Sequence, residues 1–262
     1  MFKNSSSARK ILLATLALLA LFSVCIRPAF AVVLSDTTPP ALTSFDFTPK
    51  SVDVTNGAGT VTVNLHVTDD LSGFSYAYVY FTSPSHGQTQ SVYIYNLTSG
   101  TPLDGDAQGI LTIPQFSEAG NWVVSYVSLG DRAGNYQTID TTALSSMGFP
   151  TTLSVISPGQ DVTPPQLNSF ALAPAFIDVS SGPQSITFTM EISDSPAGVA
   201  CTQSYCNIGI SVRSPSGKQT QSDGGSNVTQ LSGTLQTGFW QVLVTLPRYA
   251  EAGLWHVNYL YL

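Results

Sequence analysis

Histidine and cysteine occur three times each in this sequence, and only 10% of its residues are charged. Such scarcity leaves little material for a proton-transfer site built on histidine or for a zinc site built on cysteine. His66 and His256 fall on the polar side of alternating runs, and His86 sits in a turn-like stretch. None belongs to an H-E-x-x-H run, and no Gly-x-Ser-x-Gly elbow, phosphate loop or dinucleotide fingerprint occurs. A Ser/His/Asp set can be assembled on paper from any chain this rich in serine, so chance accounts for it. We read the chain as non-catalytic. A helical period is also lacking beyond the first thirty residues, and so is a second long apolar run, so nothing in the chain is expected to span a membrane.

The first thirty-one residues have the form of a secretory signal peptide. Lys3, Arg9 and Lys10 precede an apolar run from Ile11 to Ile26, and Pro28-Ala29-Phe30-Ala31 supplies a small-x-small cleavage site. Cys25 belongs to that peptide. Its removal leaves five basic residues against sixteen acidic ones, a formal charge of −11. Such a surface repels phosphate backbones, which argues against nucleic acid as a partner, and it attracts cations. Export places the remaining pair, Cys201 and Cys206, where a disulfide can persist. Two free thiols are the alternative, and C-x4-C alone offers too few ligands for zinc.

What the sequence does have is a repeat. "DTTPPALTSF" from Asp36 returns as "DVTPPQLNSF" from Asp161, and "TVTVNLHVTD" from Thr60 returns as "SITFTMEISD" from Ser185. Six added residues within "VACTQSYCNIG" then shift the alignment, and both cysteines lie there. The match resumes at "SPSHGQTQ" against "SPSGKQTQ", and at "IPQFSEAGNW" against "LPRYAEAGLW". This divides the mature chain into residues 32–157 and 158–262, two domains by expectation. The first copy continues through "GDRAGNYQTID" and "FPTTLSVIS", which have no counterpart in the second. The second copy is therefore expected to lack its last strand. A truncated reading frame is the preferred explanation, and a strand taken from elsewhere is the alternative.

The period within each copy is two. Val61, Val63, Leu65 and Val67 alternate with polar residues, as do Ile186, Phe188, Met190 and Ile192. By the same parity Ala77, Val79 and Phe81 point inward, and so do Trp122, Val124 and Tyr126 with their counterparts Trp255, Val257 and Tyr259. About seven short strands in roughly 110 residues, separated by Gly- and Asp-rich turns, predict a two-sheet β-sandwich. Tyr76, Tyr78 and Tyr80 then point outward, and Tyr93 and Tyr95 are expected beside them on the next strand. Such a face can stack on sugar rings or meet a protein partner; it can also be a ladder that only stiffens an exposed sheet. The second copy has Asn207, Gly209 and Ser211 at the matching places.

The run D-T-T-P-P, then V-T-D-D-L-S-G, E-A-G-x-W and D-R-A-G-N, resembles the bacterial immunoglobulin-like repeats of exported and surface proteins. The resemblance covers nearly all of the mature chain. It implies two tandem sandwiches serving as a stalk, an adhesive module or an accessory module of a secreted enzyme that binds polysaccharide. The partner would be an extracellular protein or polysaccharide. In such a sandwich Asp36, Asp69, Asp70, Asp131 and Asn135 converge at one pole of copy one. Asp161 and Asp194 fall at the junction, within expected reach of Glu118. Calcium takes six to eight oxygens in irregular geometry, which such loops can offer. The alternative is that each Asp caps its own turn.

Overall fold

The computed structural model describes residues 35–202 and 204–262. The expected signal peptide and Cys25 lie outside the described residues. Strands dominate. In chain order they are β1 (Ala41–Thr48), β2 (Ser51–Asp53), β3 (Gly59–Thr68), β4 (Phe74–Thr82), β5 (Thr89–Ile94), β6 (Leu97–Thr101), β7 (Asp104–Ile113), β8 (Gly120–Asp131) and β9 (Tyr136–Asp140). A short helix, α1 (Thr141–Ser146), precedes β10 (Thr152–Ile156). The repeat adds β11 (Gln166–Ala173), β12 (Gln184–Ser193), β13 (Cys206–Arg213), β14 (Thr220–Gly225), β15 (Thr229–Gly233), β16 (Thr237–Leu246) and β17 (His256–Tyr261).

The fold is the all-β sandwich type that the alternation predicts. In the first repeat a sheet β1-β3-β7-β6 faces a sheet β2-β10-β8-β4-β5. Pairing is antiparallel apart from β2 with β10, and β9 and β10 lie end to end along one edge of β8. Val61, Val63, Leu65 and Val67 of β3 and Ala77, Val79 and Phe81 of β4 are all buried, as their parity requires. They join Phe47, Leu111, Trp122 and Leu153 in one hydrophobic cluster. Burying each such large side chain contributes about 1.5–3 kcal/mol. The second repeat builds a sheet β11-β12-β16-β15 and a sheet β14-β13-β17 around its own, smaller cluster of Phe188, Met190, Ile208, Trp240 and their neighbours. Cys201 and Cys206 form a disulfide that closes the inserted loop.

Helix α1 is six residues long, too short for a 3.6-residue period to show in the sequence. Asp140 caps it by accepting the Ala143 N–H at 2.8 Å, and Leu144 is fully buried against the first core. Among the described residues no helix is long and apolar enough to cross a membrane.

The parity reading is corrected at two places. Opposite β4, Tyr80 pairs with Tyr126 while Phe81 pairs with Val124, so Ser125 is an extra residue in β8. Such a bulge reverses the alternation beyond it. Tyr126 therefore faces outward, and Val127 and Leu129 take the core. In β17 the pairing jumps from Ser211–Tyr259 to Val212–Val257, with Asn258 left over. Tyr259 is 50% exposed and packs beside Tyr261, while Leu260 turns toward the core.

Segments at the start of the second repeat are tied to loops of the first. Asp161 donates its N–H to Phe116 O at 2.8 Å, Gln88 Nε2 donates to Asp161 O at 2.6 Å, and Ala119 N–H donates to Gln160 Oε1 at 2.7 Å.

Candidate functional site

The loop after β3 is shaped by Asp69. Its Oδ1 accepts the N–H groups of Leu71 at 3.1 Å and Gly73 at 2.6 Å. Gly73 has φ +88° and packs so closely on Pro102 that a Cβ would come within 2.6 Å of the proline ring, so the turn requires glycine. The other oxygen, Asp69 Oδ2, is buried without a hydrogen-bond partner. Asp131 ends β8 and is itself buried; its Oδ1 accepts the Asn135 N–H at 2.8 Å and its Oδ2 accepts Asn135 Nδ2 at 2.7 Å. One carboxylate oxygen each from Asp36, Asp69 and Asp131 lie within 4.8 Å of one another. Carboxylates this close repel strongly where water is excluded, and either a cation or a proton relieves them. An all-oxygen group of this kind suits a hard cation. Asp70 stands apart, accepting the Thr38 hydroxyl at 2.5 Å, and Asn135 serves as a donor to Asp131.

The matching pole of the second repeat holds Asp161 and Asp194. Asp161 accepts Ala197 N–H at 2.9 Å, Thr163 N–H at 3.0 Å and the Thr163 hydroxyl at 2.7 Å. Burial pushes its carboxyl up, but these bonds outweigh burial and hold it below the usual range. Asp194 goes the other way: burial, with the Asp161 charge beside it, raises its affinity for a proton. Its Oδ1 is buried and unpartnered. Asp194 stands where Asp69 stands in the first repeat, so the same loop position in both repeats hides a carboxylate oxygen without a donor.

Glu118 is used differently from expectation. Its Oε1 accepts Ser85 N–H at 3.0 Å and its Oε2 the Ser85 hydroxyl at 2.7 Å. Burial raises its carboxyl, and the bonds from Ser83 and Ser85 bring it back below the ordinary value. Glu251 repeats the arrangement on Ser216, at 3.0 and 2.6 Å. Trp122 Nε1 and Trp255 Nε1 each donate to the carbonyl of that glutamate at 2.8 Å. Glu118 is thus a brace between the S-P-S and E-A-G-x-W segments of the first repeat, and Glu251 is the same brace in the second. Among the described residues, Asp36, Asp69 and Asp131 are the group whose ligand atoms converge, and Glu118, Asp161 and Asp194 are not gathered in that way.

The tyrosine face assembles as its parity predicts and gains a member. Tyr78 and Tyr93 lie 4.1 Å apart between ring centroids, Tyr93 and Tyr95 stack at 5.9 Å, and Tyr80 stacks on Tyr126 at 5.1 Å. Tyr76, Tyr78, Tyr93, Tyr95 and Tyr126, with Ser128 and Thr138, line a shallow depression of about 520 Å³. Desolvation, with neighbouring tyrosines, pushes the Tyr93 and Tyr126 hydroxyls up. Tyr126 escaped sequence reasoning because only strand pairing reveals the bulge.

A second polar cluster also escaped it. His66 on β3 lies between Asp104 (Nε2 to Oδ1, 3.0 Å) and Asp106 (Nδ1 to Oδ1, 2.7 Å), on neighbouring β7. The hydrogen bond to Asp106 raises the imidazole's proton affinity. The Ser99 hydroxyl bonds Asp106 Oδ2 at 2.5 Å, so it donates to the carboxylate rather than to the imidazole. That order activates no nucleophile and reads as a cross-strand brace.

Residues 35–158, the whole first sandwich, match a family described only as a domain of unknown function (DUF7035). No curated protein matches the chain. A leucine-rich repeat protein from Bacteroides thetaiotaomicron VPI-5482 matches among solved structures at 16% identity and a TM-score of 0.21. That match covers 72% of this chain and 20% of the other.

Proposed function

We propose that this chain is an exported, non-catalytic immunoglobulin-like repeat module, structural or adhesive in role, whose leading poles are braced by calcium. The observation that carries the reading is the buried, donorless carboxylate oxygen at the same loop position of both repeats, Asp69 Oδ2 and Asp194 Oδ1. In the first repeat one carboxylate oxygen each of Asp36, Asp69 and Asp131 converge. Asp36, Asp69 and Asp131 would hold the ion, which would neutralise them and tie the chain's approach to β1 to the loops after β3 and β8. A ligand that binds only the folded state stabilises it by mass action, by about 2.7 kcal/mol at a hundredfold excess over Kd. Thermal melts in millimolar calcium and in chelator test this. Calcium should raise the melting temperature in wild type and lose its effect in Asp69→Ala and Asp131→Ala. Coincident wild-type curves with and without calcium would remove the ion from the reading.

The tyrosine depression favours a second reading, an accessory module that binds polysaccharide. A concave face of stacked rings offers sugar rings apolar platforms edged by hydroxyls. Glycan-array binding by wild type, abolished by Tyr78→Ser with Tyr80→Ser, would favour it. Adhesion without glycan binding would favour the structural reading.

A further inference from the structure

Beyond the expected cleavage site the run Asn-x-Thr occurs as Asn96-Leu97-Thr98 and as Asn227-Val228-Thr229. Each asparagine lies thirteen residues after the first serine of its S-P-S segment, Ser83 or Ser214, so the two hold the same place in the two repeats. Their approaches are otherwise unlike: Tyr93-Ile94-Tyr95 precedes the first and Gly224-Gly225-Ser226 the second. Each stands at a corner where the chain leaves one sheet and enters the other, Asn96 between β5 and β6 and Asn227 between β14 and β15. Neither asparagine has a positive φ, so the backbone does not demand that residue at either corner. Both are exposed. The strands they open, β6 and β15, are sheet edges that bury no residue and pair only with β7 and β16. Among the described residues no strand lies on their outer side, so a bulky group has room there.

We propose that Asn96 and Asn227 are acceptors for N-linked glycan, one on each repeat. The run Asn-x-Thr is the acceptor form of that modification, and exposed corners of an exported protein are where a bulky, soluble sugar chain is tolerated. The acceptor atom is Nδ2. A bond forms between Nδ2 and the anomeric carbon of an oligosaccharide carried on a lipid diphosphate. The bond from that carbon to the diphosphate oxygen breaks, the lipid diphosphate leaves, and the amide gives up one proton to a base of the transferase. One N–H remains on the substituted amide. It suffices for the bond that Asn227 Nδ2 donates to Asp223 Oδ1 at 2.9 Å, so the corner keeps its shape when modified. The proposal rests on the export reading, since the modification belongs to the secretory route.

The test takes the full chain as its own organism exports it. Peptide N-glycosidase in heavy-oxygen water, followed by peptide mapping in a mass spectrometer, should convert Asn96 and Asn227 to labelled aspartate. A parallel incubation without enzyme controls for spontaneous deamidation, for which Asn56, followed by Gly57, is the internal marker. Asn96→Gln and Thr98→Ala should each remove one glycan, and Asn227→Gln and Thr229→Ala the other, while Thr98→Ser keeps the first. Should a variant fail to fold, the wild-type map decides by itself. A chain that lacks residues 1–31 but has an unmodified asparagine at either position overturns this proposal and leaves the export reading standing. A chain that retains residues 1–31 overturns both.

Discussion

At the scale of single residues, the molecule separates groups that look alike in sequence. Asp161 and Asp194 are both buried aspartates near one pole, yet donors surround the first while the second has a bare oxygen. A raised folded-state pKa at Asp194 means that its contribution is fully present below the unfolded aspartate value, about 3.9, and is lost as pH rises through the folded value. Asp194→Asn should therefore raise the melting temperature at pH 7 in chelator by roughly 2–4 °C, and the gain should vanish near pH 3. Melts across that range check it; a constant gain at every pH would show that the carboxyl's ionisation is not the cause. The two tryptophans make a similar contrast. Trp122 Nε1 donates to Glu118 O, whereas Trp240 Nε1 is buried without a partner. Trp240→Phe should cost less stability than Trp122→Phe by about 1 kcal/mol in denaturant melts, because only the latter strands a carbonyl.

At the scale of elements, side-chain parity was legible wherever a strand runs without interruption. β3 behaves residue by residue as its alternation predicts, and β12 does so from Phe188 onward, with Ile186 only half-buried. The bulges at Ser125 and Asn258 were not legible, because an extra residue is defined by the partner strand and leaves no mark in the sequence of its own strand. Their consequence is chemical: they turn Tyr126 and Tyr259 onto the outer faces. Glycines open room for two other tyrosine rings, Tyr76 and Tyr261. A Cβ on Gly130 would lie 2.1 Å from the Tyr76 ring, and one on Gly209 would lie 2.2 Å from the Tyr261 ring. So each repeat lays a tyrosine over a strand glycine, delivered from β4 in the first and from β17 in the second. Gly130→Ala should dislodge Tyr76, reduce the near-ultraviolet circular dichroism of the tyrosine face, and cost about 1–3 kcal/mol by overpacking. An unchanged spectrum would mean that the ring does not depend on that gap.

At the scale of the whole molecule, the two cores are unequal. β1 buries Leu42, Phe45 and Phe47, whereas every residue of its counterpart β11 is exposed. In the first repeat Leu144, Leu153 and Phe149 add to the core, and Phe149 lies edge-on to Phe45 of β1. Amide exchange should therefore be faster in β11 and β17 than in β1 and β8. Uniform exchange across both repeats would contradict the inequality. Much of this organisation is written in the sequence alone. Alternation of period two, turn residues at regular spacing and a chain that repeats itself determine strands, the two faces of each strand and a sandwich class, because side chains alternate across a strand by local geometry alone. The partners of the aspartates, the brace role of Glu118 and the bulges were decided by the tertiary structure. Each depends on which distant backbone approaches which side chain, and that distance is set by sheet pairing across dozens of residues.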